Sequence, residues 1–551
     1  MADYSLSPVS GNADESIFAE KKWEEKKDRQ LRLWGVHGQD RIDNANILLL
    51  NATSAGCEVL KNVVLPGFGR FTVVDEKLVT EKDLGANFYV SKDHLGESRA
   101  KVVSQLLNEM NPEVKGAYLN ESPEDVLAKN PSFVLDFNYI IASNVPEEML
   151  KKIEKLIFNQ NIPLIVVQTY GLLGTVRIVK KTHTIVEAKL NSKVDDLRLN
   201  HPWDELKEFC KSQDMSVMEK HEYIHTPFLI ILMQAIEQWK AKHNGTVPSN
   251  REEEGEFKKF VASLNRYPDG NFTSGFDEAV ERYYLAYTKP EIPEEVREVL
   301  EHPETKELTE DSENFFFLAN ALSQFVNEFG VLPVIGDVPD FHSDSKRYVQ
   351  LKDIYWRKNR ADMKKLGDYL TPLLERYNRK AISSMEIKEF CKNSHYLRVM
   401  RFEGYEKEYN PSTFKKDSIY ENLYSDQFEI GWYFMIRAVE AYYSKHQVYA
   451  GDHTELEDSE RFQSEVQELV SIAKELVKNV GLSDIDQLTE ANWEAYAQEM
   501  VRAGKAELHN IASLIGGVAA QELIKLCTHQ RIPFNGWIFN GIASSSATLE
   551  F

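Results

Sequence analysis

Two short apolar stretches joined by one helical stretch constrain the fold of this chain more than any other feature. The run Ile47–Leu50 is continuously apolar, as in a strand that is buried on both faces of a parallel sheet. A loop follows, then a helical pattern from about Gly56 to Val64, then a second strand-like run, Phe71–Asp75. Two strands and a crossover helix within about 30 residues indicate a βαβ unit, and therefore a parallel strand pair.

The same alternation continues along the chain. A helical pattern at 100–110 is followed by a strand-like run at 133–141, a second helical pattern at 147–158 and a strand-like run at 163–168. This alternation predicts a doubly wound, Rossmann-like α/β sheet. From about residue 180 the pattern is mainly helical, and strand-like runs return near 536–540 and 546–550. We therefore predict a disordered N-terminus (1–16), the first part of an α/β domain (17–177), a large, mainly helical insertion (178–500) and the completion of the α/β domain (501–551).

The loop after the first strand lacks the glycines that a nucleotide site needs. A Gly-x-Gly-x-x-Gly sequence lets backbone N–H groups approach phosphates at the helix N-terminus. Here the loop reads Asn51-Ala-Thr53-Ser54-Ala-Gly56, so one glycine remains, the one that permits close helix–strand packing. Asp75, at the end of the second strand, stands where a ribose-binding acid would be. From the loop alone, a strand–loop–helix with no nucleotide history is an equally good interpretation.

Composition excludes several function classes. The net charge of −22 argues against a nucleic-acid partner, because phosphate contacts need a basic surface. Apolar runs are far shorter than a membrane span, and we predict no signal peptide. The four cysteines lie far apart without a CxxC pair, which argues against a zinc site and suits a reducing compartment. We expect no metal site, and a location in the cytoplasm with the nucleus as a second location.

Two cysteines could in principle be reactive. Cys57 lies at a helix start, where the helix dipole would lower its pKa. Cys391 lies in an amphipathic helix with acidic neighbours that would raise its pKa. A catalytic cysteine needs both a low pKa and an exposed position. We interpret both residues as packing residues.

Three stretches together resemble a known family. They are Arg29-Gln-Leu-Arg-Leu-Trp-Gly35, Leu60-Lys-Asn62 and Pro66-Gly-Phe-Gly-Arg-Phe-Thr-Val-Val-Asp75. In this order they are similar to the adenylation domain of the ubiquitin-like-modifier-activating enzymes, which has a MoeB/ThiF-type fold. The resemblance implies an α/β adenylation domain with an insertion that corresponds to the family's catalytic-cysteine domain. The family's cysteine motif is not recognisable in this insertion.

The chain departs from the active members of that family at nearly every catalytic element. The glycine loop is degenerate at Asn51, Thr53, Ser54 and Gly56, and Lys77 replaces a second acid. The arginine-bearing element has become 83–88, without arginine, and Arg99 stands at the catalytic lysine position. Ser143-Asn144 replaces the magnesium-binding Asp-Asn pair, and a hydroxyl is a poor substitute for a carboxylate on Mg²⁺. We therefore predict an inactive adenylation domain that binds no cofactor, with Asp75 as a vestige.

Further stretches resemble the regulatory subunits of the heterodimeric enzymes that activate a Rub/Nedd-type modifier. These are 37–39, 50–53, 169–172, 389–393, 397–401 and 507–512 with 521–522. The resemblance implies a catalytic partner subunit that binds ATP and Mg²⁺, adenylates the C-terminal glycine of the modifier and forms a thioester, the start of cullin neddylation. It also implies contact with the modifier and transient contact with a conjugating enzyme.

The resemblance gives Arg29 a role across the subunit interface. In this family the N-terminal helix sends an arginine to the ATP of the partner, and Arg29 stands at that position. A guanidinium is always charged and can offer two parallel N–H donors to phosphate oxygens. Without the resemblance, a surface or intrachain ion pair would be the better interpretation of an arginine on a charged helix.

Three alternatives remain at this stage. A regulatory subunit of a SUMO-type activating enzyme is disfavoured by the large helical insertion, which that subunit lacks. A non-catalytic scaffold or adaptor on a dead Rossmann fold would also explain the degenerate loop. A dinucleotide-dependent oxidoreductase is disfavoured by the missing glycine fingerprint.

Overall fold

The computed structural model describes residues 13–188, 196–268, 274–423, 429–452, 459–489 and 491–551. The chain divides into two compact units. Unit 1 contains the residues up to His183 together with Met400–Phe551, and unit 2 contains Thr184–Val399. The predicted disordered segment 1–16 lies mostly outside the described residues, but its last part is helical, because the first helix begins at Ala13.

Unit 1 alternates strands and helices as the sequence predicts. The first half contains α1 (Ala13–Asp43), β1 (Asn46–Leu50), α2 (Ser54–Val64), β2 (Arg70–Val74), α3 (Glu81–Ala86), α4 (Arg99–Met110), β3 (Lys115–Leu119), α5 (Pro123–Lys129), β4 (Tyr139–Ser143), α6 (Glu147–Ile157), β5 (Leu164–Tyr170) and β6 (Leu173–Ile185). The backbone of α1 breaks at Gly35, whose φ of 72° and ψ of 173° are not helical, so α1 is two helices in sequence. The strand predicted at 133–141 begins only at Tyr139, since Pro131–Asp136 forms a 3₁₀ helix.

Unit 2 is mainly helical. Its helices are α7 (Asp204–Ser212), α8 (Lys220–Ile224), α9 (Phe228–Lys242), α10 (Arg251–Ser263), α11 (Gly275–Glu281), α12 (Glu294–Glu301), α13 (Pro303–Lys306), α14 (Asn314–Phe329), α15 (Ser345–Arg376) and α16 (Ser384–Lys392). Two apolar clusters stabilise it, one around α9 and one around α14. Strand β7 (Arg398–Phe402) leads the chain back to unit 1.

The second half of unit 1 is also rich in helices. It contains α17 (Tyr405–Glu408), α18 (Lys416–Leu423), α19 (Ile430–His446), α20 (Ser459–Asn479), α21 (Asp486–Thr489), α22 (Trp493–Ala503), α23 (His509–Thr528), β8 (Gly536–Asn540) and β9 (Ser545–Leu549). The predicted insertion, 178–500, was therefore too long. Helices α19, α20 and α22 bury their apolar residues with Tyr170, Leu173 and Ile538 of the sheet, so residues 400–500 belong to unit 1.

The sheet of unit 1 has the order β3-β2-β1-β4-β5-β6-β8-β9 within the described residues, with β7 paired to β6. Strands β3, β2, β1, β4 and β5 are parallel, and the pairs β5–β6, β6–β8 and β8–β9 are antiparallel. The chain leaves β1 toward β2 on one side and returns to β4 on the other. This places a topological switch point at the carboxyl end of β1, where α/β folds bind their ligands.

Within the described segments, one helix, α23, is long and apolar enough to cross a membrane by length and composition. Its most apolar window has a mean hydropathy of 1.3, and 61% of that window is buried inside the protein. The buried residues, among them Ala512, Ile515 and Ala519, pack against α2 in the core of unit 1. The small residues of α23 serve close packing here: a Cβ at Gly516 would lie 2.4 Å from the Cβ of Glu58 on α2.

Candidate functional site

The degenerate loop lies at the switch point, between the end of β1 and the start of α2. Asn51 has a φ of 66°, in the left-handed region that a glycine would adopt without strain. Gly56 remains because α2 packs against the sheet at this point. A Cβ at Gly56 would lie 2.9 Å from both Leu49 and Ser143, which confirms the packing role predicted for this glycine.

We call the region around the loop 51–56, the end of β1 and the neighbouring end of β4 the switch-point pocket, and two hydroxyl groups meet inside it. The Oγ1 of Thr53 lies 2.6 Å from the Oγ of Ser143, and both residues are buried. Thr53 also caps α2, since its Oγ1 accepts a hydrogen bond from the backbone N–H of Gly56 at 3.3 Å. The threonine that replaces a loop glycine therefore occupies the space between loop and sheet and satisfies one helix N–H itself.

The predicted counterpart of a magnesium site does not fit the cation. Ser143 bonds to Thr53, and the amide oxygen of Asn144 accepts the backbone N–H of Thr169 at 3.0 Å. Mg²⁺ is usually held through one or two carboxylates with several waters. Two neutral oxygens that are already hydrogen-bonded do not supply that ligand set. In the described part of the chain, no group of three His, Cys, Asp or Glu side chains is placed to hold a metal ion.

Asp75, which the sequence predicted to be a vestige, is completely buried and is paired with a cation of the same chain. Its carboxylate accepts hydrogen bonds from the backbone N–H groups of Ala52 and Lys77, both at 2.8 Å. Arg99 reaches the same carboxylate with Nε at 2.8 Å and Nη2 at 2.6 Å. Asp75 therefore offers no free oxygen toward a ribose, because the arginine at the lysine position has become its counter-ion.

Arg99 also contacts a second carboxylate, that of Asp83, in the segment 83–88 where the resemblance leads one to expect an arginine. Its Nη1 donates to Asp83 at 2.9 Å. Burial disfavours the charge of Arg99, but Asp75 and Asp83 outweigh it and raise its pKa. Burial also disfavours the charged form of Asp83 and would raise its pKa. Hydrogen bonds from Thr80 and the pairing with Arg99 outweigh burial, and the pKa of Asp83 is lowered. The sequence predicted the two replacements separately, and the structure joins them in one ion-pair network.

Glu507 is the residue of this pocket to which the sequence assigned no role. It lies in the segment between α22 and α23, and its carboxylate accepts the backbone N–H of Ser54 at 2.9 Å and of Ala55 at 3.5 Å. The side chains of Asn144 and Thr169 also donate to it, at 3.3 and 3.2 Å. The first turn of α2 contains no acidic residue of its own, and that absence was a usable signal that a distant acid caps it.

The cysteines are all packing residues by position. Cys57, Cys210, Cys391 and Cys527 are buried and free. Burial raises the pKa of Cys391 and Cys210 to about 12 and of Cys527 to about 11. Burial also raises the pKa of Cys57, which confirms its interpretation as a packing residue. Desolvation of the fully buried thiol outweighs the influences that lower its pKa, among them Arg99 and a hydrogen bond from the side chain of Asn87 at 3.4 Å.

Arg29 lies apart from the filled pocket, on an exposed face of α1. The shallow groove around it is lined by residues of α1 alone: Glu25, Lys26, Asp28, Gln30 and Leu33. Among the side chains that the structure describes, from residue 25 onward, Arg29 has no ion-pair partner. Its neighbour Arg32 does, since the Nε of Arg32 lies 3.1 Å from Asp28. The intrachain ion pair that would explain Arg29 locally is thus formed by Arg32 instead.

Comparison with known proteins identifies relatives along nearly the whole chain. The ThiF family model matches residues 27–548. A NEDD8-activating enzyme E1 regulatory subunit from Gallus gallus is 36% identical over 538 residues, which cover 96% of this chain and 98% of that protein. The regulatory subunit AXR1 from Arabidopsis thaliana is 35% identical, over 95% of this chain and 96% of that protein. The regulatory subunit from Drosophila melanogaster is 33% identical, over 95% and 97%. The chain therefore belongs to the ThiF family and, within it, to the NEDD8-activating enzyme E1 regulatory subunits.

Proposed function

We propose that this chain is the non-catalytic half of a heterodimeric activating enzyme and that it completes the ATP site of its catalytic partner with Arg29. The observation that supports this proposal most strongly is the contrast between the two sites. The pocket at the switch point is filled by the chain's own side chains, whereas Arg29 is exposed and unpaired among the described side chains. A chain arranged in this way has a cation for another molecule's phosphates and no place for phosphates of its own.

The chemistry of adenylation suits an arginine supplied from outside. When a carboxylate attacks the α-phosphate of ATP, negative charge is redistributed over the phosphate oxygens. A guanidinium that approaches from the partner subunit offers two N–H donors to those oxygens and keeps its charge at every physiological pH. Supply in trans also makes activity depend on assembly, as with arginine fingers in phosphoryl transfer.

The remaining steps belong to the partner in this proposal. The catalytic subunit binds ATP and Mg²⁺, adenylates the C-terminal glycine of the Rub/Nedd-type modifier and holds it as a thioester. The burial of all four cysteines of this chain supports that division, because a thioester needs an accessible thiolate. Unit 2 then serves as a scaffold beside the modifier, and a conjugating enzyme binds transiently. The cytoplasm and the nucleus are the proposed locations.

ATP–pyrophosphate exchange with purified modifier tests the proposal. We expect no exchange by the chain alone and full exchange when the catalytic subunit is added. Arg29→Ala in the pair should lower the exchange rate by about 10²–10³-fold, the usual cost of removing one charge-stabilising donor. The matched control is Arg32→Ala, three residues along the same helix, whose guanidinium is paired with Asp28. We expect it to change the rate by less than about twofold.

Three results would contradict parts of the proposal. Exchange by the isolated chain would overturn the division of labour. Equal exchange by the Arg29→Ala pair and the wild-type pair would remove the trans-arginine role and leave the scaffold interpretation. Equal losses in Arg29→Ala and Arg32→Ala would indicate that the helix, and not one guanidinium, is required. Gel filtration of each pair must first establish that the variants still assemble.

A further inference from the structure

We infer that the former phosphate site is retained as an oxyanion-binding site and that Glu507 is its permanent occupant. A nucleotide phosphate in an α/β fold is held by the first N–H groups of the helix that follows β1. Here the same groups, the N–H of Ser54 and Ala55, donate to the Glu507 carboxylate. Two further donors, from Asn144 and Thr169, reach it from the ends of β4 and β5. Donors from three elements of unit 1 thus converge on one internal anion.

The dipole of α2 explains why an anion is needed there. The first four N–H groups of a helix have no partner inside the helix, and together they carry a partial positive charge. Thr53 satisfies the N–H of Gly56, and the N–H groups of Ser54 and Ala55 are two of those that still need an acceptor. Since the first turn of α2 contains no acid, a chain that has lost its nucleotide must supply the charge from elsewhere. Glu507 supplies it from a point 453 residues away in sequence.

The segment that carries Glu507 is fixed at several points. The backbone N–H of Gly171, at the end of β5, donates to the carbonyl of Ala506 at 2.9 Å. Lys505 is buried between the rings of Tyr170 and Tyr449, with its Nζ 4.0 Å from each ring centre. Its Nζ also lies 3.5 Å from the carboxylate of Glu440. The short connection between α22 and α23 therefore holds the carboxylate at the helix end without a ligand.

Glycine geometry indicates that this connection cannot shift freely. Gly171 has a φ of 57°, and a Cβ there would lie 2.6 Å from the Cβ of Ala503. Gly504, which ends α22, has a φ of 53° and a ψ of −138°. Both conformations are ones that other residues rarely adopt. The backbone on both sides of the contact between the end of β5 and the α22–α23 connection thus has glycines where the two segments approach closely.

Chemical rescue of Glu507→Ala in the full-length chain tests the inference. Removal of the carboxylate leaves a small anion site open, so we expect a thermal unfolding midpoint about 3 °C below that of the wild type. Addition of 50 mM sodium acetate or sodium phosphate should restore at least half of the difference, whereas sodium chloride of equal ionic strength should not. Because oxyanions stabilise most proteins by exclusion, the rescue is the response of the variant minus that of the wild type.

A matched control separates rescue of a site from loss of any helix cap. Glu253 also accepts N–H and O–H groups at a helix start, from Ser249 at 2.8 and 2.9 Å, but it is only partly buried and its hydrogen bonds lie at the protein surface. Glu253→Ala should show no rescue, since water reaches its site freely. A Glu507→Ala chain with the wild-type midpoint, or one that no oxyanion restores, would overturn the inference.

A second measurement covers the case in which Glu507→Ala does not fold. In native-state hydrogen exchange of the unmodified chain, the amides of Ser54 and Ala55 should be protected as strongly as the amide of Val59 in the interior of α2. Exchange of both amides at the rate of an exposed helix end, such as that of α10, would overturn the inference. Glu507→Gln, which keeps one acceptor oxygen, should retain most of this protection.

Discussion

Two arginines of unit 1, Arg99 and Arg29, have opposite environments. Arg99 is buried, and its guanidinium is shared between two carboxylates of the same chain. Arg29 is exposed, and no described side chain pairs with it. A charge that is buried and paired is inaccessible to other molecules, and removal of its partner is costly, whereas an exposed, unpaired charge adds little to stability and is accessible to other molecules. Arg99 is therefore committed to its own chain, and Arg29 is the one of the two that is available for the proposed contact with a partner.

The largest effect on stability is expected from Arg99→Met. The substitution leaves Asp75 and Asp83 without their cation in a buried site, and loss of one partner of a buried ion pair costs about 3–5 kcal/mol. Urea unfolding curves of the full-length chain measure the loss. Arg99→Lys should cost less, because one ammonium keeps the charge but cannot contact both carboxylates as a guanidinium fork does.

This prediction has an internal control. When Asp75→Asn and Asp83→Asn are combined with Arg99→Met, no unpaired buried charge is left, so the triple variant should be more stable than Arg99→Met alone. A loss below about 1 kcal/mol for Arg99→Met would mean that water replaces the guanidinium, as at a surface pair. The pocket would then be open enough to hold a ligand, and the contrast with Arg29 would weaken.

A smaller and pH-dependent effect is expected at Asp83. Its pKa in the folded chain is lowered, so its carboxylate stabilises the fold above the ordinary pKa near 3.8 and loses this contribution as pH falls through the lowered value. Asp83→Asn should therefore cost about 1–2 kcal/mol at pH 7, and the difference from wild type should shrink as the pH falls below the ordinary pKa and through the lowered one. Urea unfolding at a series of pH values measures it.

The control for Asp83→Asn is a substitution of an exposed acid in the same unit, Glu97. Glu97 pairs with Lys101 one helical turn away, and both side chains are about 40% exposed. Glu97→Gln should cost less than about 0.5 kcal/mol at every pH. If Asp83→Asn behaved like Glu97→Gln, the second carboxylate would be no part of the Arg99 network, and the pairing would reduce to Asp75 alone.

The local sequence pattern predicted the βαβ unit and the replaced residues of this pocket, because those features depend on residues that are close together in the chain. The apolar run at Ile47–Leu50 and the helix that follows it are short-range features, so the βαβ unit could be predicted. The degenerate loop and Arg99 are read directly from the residues at those positions. Glu507 could not be placed in this way, because its partners Asn144 and Ser54 lie 363 and 453 residues away along the chain.

The wrong domain boundary and the pKa of Cys57 show what a local pattern lacks. Helices α19, α20 and α22 follow the helical unit in sequence, and their apolar faces show that they are buried but not against what. The boundary predicted at residue 500 therefore moved to Met400. For Cys57, the packing interpretation is confirmed, but the burial that raises its pKa depends on tertiary packing and could not be derived from the helix start alone. In both cases the missing information was the identity of the neighbour in space.

The smallest expected effect, and the one that tests the comparison most directly, is that of Arg29→Ala on stability. An exposed cation without a described partner should change the free energy of unfolding by less than about 0.5 kcal/mol, as should Arg32→Ala. Urea unfolding of the isolated chain measures both. A loss above about 1 kcal/mol for Arg29→Ala would reveal a structural role for Arg29 within this chain. A fall in exchange activity by the pair would then no longer distinguish a donated guanidinium from a damaged helix. With stability unchanged, the same fall can come only from what Arg29 contacts outside its own chain.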